Sequence, residues 1–198
     1  MSSKESITKP TNKLTSFIYE NPIDRNLYYS IEKISDTVHS SHITPNIITF
    51  LGLVFGILSA YFLYEKKIIY CIISWFISYY LDLLDGYIAR KYNQGSTIGG
   101  WFDHISDIIK LVLYLYVLYL HDKFNVIYIF ILITIIGMTN TSCRTKFLNK
   151  EQNPTDSLYF VQKMCPDKNY VKYTRYWGEG LIALLAPLII LYSYKDEL

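Results

Sequence analysis

The sequence has no basic arm, no paired-cysteine framework and no cleavable-leader pattern, and each absence removes a class of protein. Nineteen basic and 17 acidic side chains leave a net charge of only +2, so a nucleic-acid-binding tail is not expected and any electrostatic message lies in where the charges fall. The three cysteines, Cys71, Cys143 and Cys165, have neither the even count nor the spacing of a disulfide framework or a zinc site, and no chemistry is assigned to them. The first forty residues are polar and lack the basic start, apolar core and small-residue site of a signal peptide, so the first membrane helix is expected to serve as the targeting signal.

What the chain does have is apolar length. Hydrophobic side chains make up 51% of the 198 residues and the mean hydropathy is +0.17, too apolar for an ordinary soluble domain and too short for several domains. Crossing ~30 Å of hydrocarbon takes about 20 residues of helix. Runs of that kind lie at 47–64, 67–90, 98–120, 124–142 and 178–194. The expected fold is therefore all-α, a polytopic membrane helix bundle of five spans, with a sixth only if Leu158–Val161 were extended against Lys163, Pro166 and Asp167. Residues 1–43 read as a cytoplasmic or interfacial segment and 44–198 as the transmembrane domain. Glu65–Lys67 leave room for only a tight turn, so the first two spans should form a helical hairpin. The stretch Arg144–Tyr176, rich in Lys, Asp and Asn, suits an aqueous loop with short interfacial helices.

Basic residues near helix ends give the orientation. Lys4, Lys9, Lys13, Arg25, Lys33, Arg90, Lys91, Arg144, Lys146, Lys150, Lys163, Lys168, Lys172 and Arg175 fall on one side, and only Lys66, Lys67, Lys123 and Lys195 on the other. The amino terminus is thus predicted cytoplasmic and the carboxyl terminus lumenal. The final Lys195-Asp196-Glu197-Leu198 is a KDEL address, useful only in the lumen, and points to the endoplasmic reticulum membrane. In the first span Gly52, Gly56 and Ala60 recur every fourth position, a stripe that lets a neighbouring helix approach closely.

Four carboxylates carry the chemistry. Asp82 and Asp85 stand three apart near the end of the second span, and Asp103 and Asp107 four apart near the start of the third, so each pair occupies one helix face. The polar turn Asn93-Gln94-Gly95-Ser96 brings the pairs to one depth. An ionised carboxylate in a membrane helix costs at least ~2.5 kcal/mol, so the cluster needs cations. Arg90 and Lys110 are near in sequence, but clustered hard oxygen ligands better suit Mg²⁺ or Mn²⁺, two of which can bridge a diphosphate. Gly86 and Gly99 would admit a bulky ligand to the helix backbone, or serve close helix packing. A divalent-cation or proton transporter would use similar acids, but near the midplane and often beside broken helices or inverted repeats; here the acids are expected near the cytoplasmic edge, and no repeat is visible.

In full, Asp82-x2-Asp85-Gly86-x2-Ala89-Arg90-x8-Gly99-x3-Asp103-x3-Asp107 resembles the signature of the CDP-alcohol phosphatidyltransferases at every fixed position. Thr44-Pro45-Asn46-Ile47-Ile48-Thr49 looks like that family's entry into its first helix, and five spans depart from the six usual there. The resemblance implies an integral-membrane transferase that moves a phosphatidyl or phospho-alcohol group from a CDP-activated lipid or CDP-alcohol to a small alcohol or diacylglycerol, releasing CMP. It implies two Mg²⁺ or Mn²⁺ ions on Asp82, Asp85, Asp103 and Asp107, with Asp107 also the general base. Asn46, Gly86, Ala89, Arg90, Ser96 and Gly99 would contact the CDP moiety. A homodimer is implied as well, and a catalytically silent relative would be expected to lose part of the motif. The acceptor stays open. Asn93–Ser96 resembles the turn of phosphatidylinositol synthases, Phe102-Asp103-His104 resembles choline and ethanolamine phosphotransferases, and Arg144 and Lys146 offer a place for an acceptor phosphate or mere topology charges. His104 reads first as a polar helix residue bonded to a carboxylate.

Overall fold

The computed structural model describes residues 21–147, 165, 167 and 170–197, with residues 144–147 described by their backbone only. All the described regular structure is helical: α1 (Pro22–Ser40), α2 (Pro45–Tyr64), α3 (Ile68–Lys91), α4 (Thr97–Leu120), α5 (Phe124–Phe147), a single turn α6 (Val171–Thr174) continued by a 3₁₀ turn at Arg175–Trp177, α7 (Glu179–Ser193), and a last 3₁₀ turn at Lys195–Glu197. Proline opens both α1 and α2, where its missing N–H costs nothing and its fixed φ suits the first turn.

Among the described residues four stretches, Pro45–Tyr64, Ile68–Lys91, Phe124–Cys143 and Val171–Ser193, are long and apolar enough to cross a membrane. The third expected span, 98–120, corresponds to α4, as long as α3 but carrying Asp103, Asp107 and Lys110 within its first fourteen residues. The last expected span is the 15-residue α7, which reaches crossing length only together with α6 and its 3₁₀ turn. The expected short helices of the loop are represented by those two turns, and residues 148–164 of that loop, with Leu158–Val161, lie outside the described residues.

The turns between the helices share one device. His42, Lys66, Asn93 and Asp122 each take a left-handed φ between 53° and 58°, two residues past a helix end, where a reversed backbone closes the last helical turn. Asn and Asp tolerate that region, and Lys66 takes it within the tight α2–α3 turn anticipated from Glu65–Lys67. Helices α2 and α3 then pack along their whole length, with α4 against α2 and α7 against α1, α3 and α5.

Among the described residues the two larger of three apolar clusters hold this arrangement, the third being Cys143, Cys165 and Val171. One joins Ala60, Leu63, Ile68, Cys71, Tyr114, Leu118, Phe130, Ala186 and Ile190 at the ends where α2 and α4 finish. The other joins Tyr28 and Ile31 of α1 to Ile48, Leu83, Leu84 and Ile88 at the opposite ends. In the first, Tyr114 is buried, hydrogen-bonds the Ser59 hydroxyl and meets Trp75 edge-on at 4.9 Å, while the Trp75 indole N–H donates to the Ala183 carbonyl at 3.1 Å. Gly52 fits the helix-packing reading of its stripe, since an added Cβ would rest 3.6 Å from Leu81 and from the Ser78 carbonyl; Gly56 has a different neighbour, described below.

One expectation is overturned. Cys143 and Cys165 form a disulfide, linking the end of α5 to the residues before α6, whereas Cys71 is a buried free thiol. The odd count and wide spacing concealed a single pair, because spacing rules describe multi-bridge scaffolds rather than one tie across a loop.

Candidate active site

Asp82 and Asp85 share the turns of α3 that carry Leu83, Leu84 and Ile88, and Asp103 and Asp107 lie on α4. Asp82 lies nine residues before the end of α3, about 13 Å along the helix axis at ~1.5 Å per residue. Asp85 is buried, and the Thr49 hydroxyl of α2 donates to its Oδ2 at 2.5 Å. Asp82 faces α4, where the Lys110 ammonium stands 3.3 Å from its Oδ1 and 2.6 Å from Asp107 Oδ1. The Asp107 side chain is half exposed, so one carboxylate of the set is open to an incoming ligand. Asp103, His104 and Asp107 can each offer a ligand atom within 4.8 Å of the others. His104 is thus next to carboxylates, as its sequence position suggested.

Asp103 tests whether these residues suit a metal. Its Oδ1 is buried and has no hydrogen-bond partner among the described residues. Buried carboxylate oxygens are ordinarily paired, and a lone one beside two further oxygen or nitrogen donors is what a hard divalent cation would satisfy. The donor set fits Mg²⁺ or Mn²⁺.

The residues expected at a nucleotide gather at the α3–α4 corner. Ser96 caps α4 by accepting the Gly99 N–H at 3.0 Å, and a Cβ on Gly99 would fall 2.8 Å from Asn46 Oδ1, so Asn46, Ser96 and Gly99 form one small patch. Arg90 folds back over Gly86, where a Cβ would come 3.1 Å from its guanidinium, and its Nη2 donates to the Tyr28 hydroxyl at 3.3 Å. Ala89 lies half-buried on the same turn. Gly86 is therefore a seat for the arginine as well as an opening. The structure does not bring Arg144 and Lys146 into this account, because their side chains lie outside the described residues.

Sequence reasoning missed the second rank of residues. Thr49 and Tyr28 orient Asp85 and Arg90, and Tyr28 comes from α1, which docks on α3 through buried Asp24, Tyr28, Ile31 and Ser35. Tyr79 hydrogen-bonds Asp24, Lys91 reaches Asp36 at 2.7 Å and Ser35 at 2.9 Å, and Tyr92 bonds Asp36 and stacks on His39 at 3.8 Å. The hydrogen bond from Lys91, then that from Tyr92, holds the Asp36 carboxyl below its ordinary range. The i, i+4, i+7, i+11 spacing of the buried α1 residues was the available signal.

A helical bundle with helices long and apolar enough to cross a membrane and four aspartates, one buried and one half exposed, at a helix–turn–helix defines a class of intramembrane acid-site proteins. The CDP-alcohol phosphatidyltransferase family model matches residues 42–164, and the chain belongs to that family. Over 77 residues it is 35% identical to the archaetidylinositol phosphate synthase of Pyrococcus horikoshii, covering 39% of this chain and 41% of that one. Over 78 residues it is 37% identical to the CDP-diacylglycerol–inositol 3-phosphatidyltransferase of Candida albicans, covering 38% and 34%. A 42-residue stretch is 43% identical to the CDP-diacylglycerol–glycerol-3-phosphate 3-phosphatidyltransferase of Blochmanniella floridana, covering 21% and 22%. The chain thus matches at most about two fifths of the length of these relatives, and no solved structure matches it.

Proposed function

We propose that the chain transfers a phosphatidyl group from a CDP-activated lipid to a hydroxyl of a polyol or polyol phosphate, releasing CMP. The orphaned Asp103 carboxylate within the four-aspartate cluster carries this reading. The names of the relatives, which act on inositol- and glycerol-type acceptors, favour such an acceptor over diacylglycerol.

In this reading Asp82, Asp85, Asp103 and Asp107 hold two divalent ions, which when bound neutralise the diphosphate and acidify the acceptor hydroxyl. Thr49 fixes the Asp85 carboxylate by its hydrogen bond. Arg90, steadied by Tyr28, presents a planar fork to phosphate oxygens, a geometry lysine would not reproduce. The Asn46–Ser96–Gly99 patch takes the nucleotide end. The acceptor oxygen forms a bond to the lipid-side phosphorus while the bridging P–O bond to CMP breaks, and half-exposed Asp107 receives the hydroxyl proton. The charge asymmetry supports a cytoplasm-facing site with the turns at Lys66 and Lys123 lumenal.

Purified protein with Mg²⁺ or Mn²⁺ should release CMP from a CDP-activated lipid when offered inositol, inositol phosphate or glycerol phosphate, and Asp107→Asn should abolish release. A full panel of donors and acceptors that yields no metal-dependent CMP would overturn the reading.

A further inference from the structure

The signature shared with the family ends at Asp107, and Lys110 stands one turn beyond it. Its ammonium occupies the gap between Asp82 of α3 and Asp107 of α4, at 3.3 and 2.6 Å, and its side chain is only 17% exposed. Gly56 of α2 supplies the room. A Cβ there would lie 2.6 Å from both Cγ and Cδ of Lys110, so the lysine stem runs through a notch that no other residue type would leave open. Packed in that notch, the ammonium has little freedom to leave the carboxylates for solvent.

We propose that Lys110 is a resident counter-cation of the carboxylate cluster, competing with the divalent ion that Asp82 and Asp107 would share. The proposal rests on the metal reading above. Before any metal arrives, four acids in a membrane bundle face one another, and Lys110 offsets one of those charges from inside the protein. A divalent ion drawing on the same two oxygens must push the ammonium aside or sit against a like charge, and in a buried setting that repulsion is poorly screened. Lys110 therefore lowers metal affinity while keeping the metal-free bundle intact. It is a positioning residue, acting through Asp82 and Asp107.

Binding of Mn²⁺ to the full-length detergent-solubilised chain, read from the resonance of the free ion, tests this directly. Lys110→Met should bind Mn²⁺ about tenfold or more tightly than the unaltered chain, and Lys110→Arg, which keeps the charge, should not. In chelator, Lys110→Met should melt at a lower temperature than the unaltered chain, and Mn²⁺ should close that gap. Gly56→Ala, which evicts the stem from its notch, should also tighten Mn²⁺ binding, and it answers the question if Lys110→Met fails to fold. Equal or weaker Mn²⁺ binding by a folded Lys110→Met or Gly56→Ala protein overturns the proposal. An unaltered chain that binds no Mn²⁺ overturns the metal reading itself, a result distinct from the first.

Discussion

Thr49 shows how one hydroxyl supports a charged centre. Its hydrogen bond to Asp85 is charge-assisted and buried, the kind whose loss costs about 1.5–3 kcal/mol. Thr49→Val keeps the shape and removes the donor, so the melting temperature of the metal-free protein should drop by several degrees and Thr49→Ser should restore it. At this scale the aspartates were legible from spacing alone, since positions three and four apart on a helix share a face. Their partners were not. Thr49 and Tyr28 are ordinary residues whose value comes from being opposite Asp85 and Arg90 in space, and nothing local in the sequence marks that. Lys110 was visible as a nearby cation, but its contact with both Asp82 and Asp107 depends on the Gly56 notch, a fact about α2 rather than α4.

Among the elements, α1 is the one whose role the sequence understated. A polar amino-terminal segment was expected, yet four buried residues on one face tie α1 to α3 and α7. Its start is held by Asn21, which caps the helix by accepting the Ile23 N–H at 2.9 Å and donates to the Arg175 carbonyl at 2.9 Å. Gly180 of α7 makes that approach possible, since a Cβ there would strike the Asp24 and Asn21 side chains. Gly180→Ala should cost about 1–3 kcal/mol through overpacking and should speed limited proteolysis within residues 21–40, with α2 and α3 left resistant. The helical hairpin of α2 and α3 was fully legible, because two long apolar runs separated by three residues admit no other connection. α4 was legible in length, though its charged first half makes it unlike the other spans.

For the whole molecule, the distribution of basic residues leads to a proposed lumenal carboxyl end, and a glycosylation acceptor placed after Tyr194 should then be modified. An unmodified acceptor on a well-inserted protein would overturn the five-span reading. At the same end Glu197 bridges the α2–α3 turn and the α4–α5 turn, with Lys66 at 2.7 Å and Lys123 at 3.6 Å. The hydrogen bond from Lys66 holds the Glu197 carboxyl below its ordinary value of 4.5, with the charge of Lys123 adding to it. A lowered folded value means that this clasp contributes stability above the unfolded pKa and loses it as pH falls through the folded one. For an exposed pair the effect is about 0.2–1 kcal/mol, so Glu197→Gln should lower the melting temperature slightly at neutral pH and not at all in strong acid.

The Cys143–Cys165 bond turns compartment into a countable property. Under denaturing, unreduced conditions an alkylating reagent should add once, at Cys71, and three times after reduction. On the charge-based orientation proposed above this bond would lie on the cytoplasmic face, where glutathione keeps most thiols reduced. Alkylation in intact cells followed by mass measurement thus reads the redox surroundings of the α5 end from inside the protein, a record of sidedness that depends on no lysine or arginine.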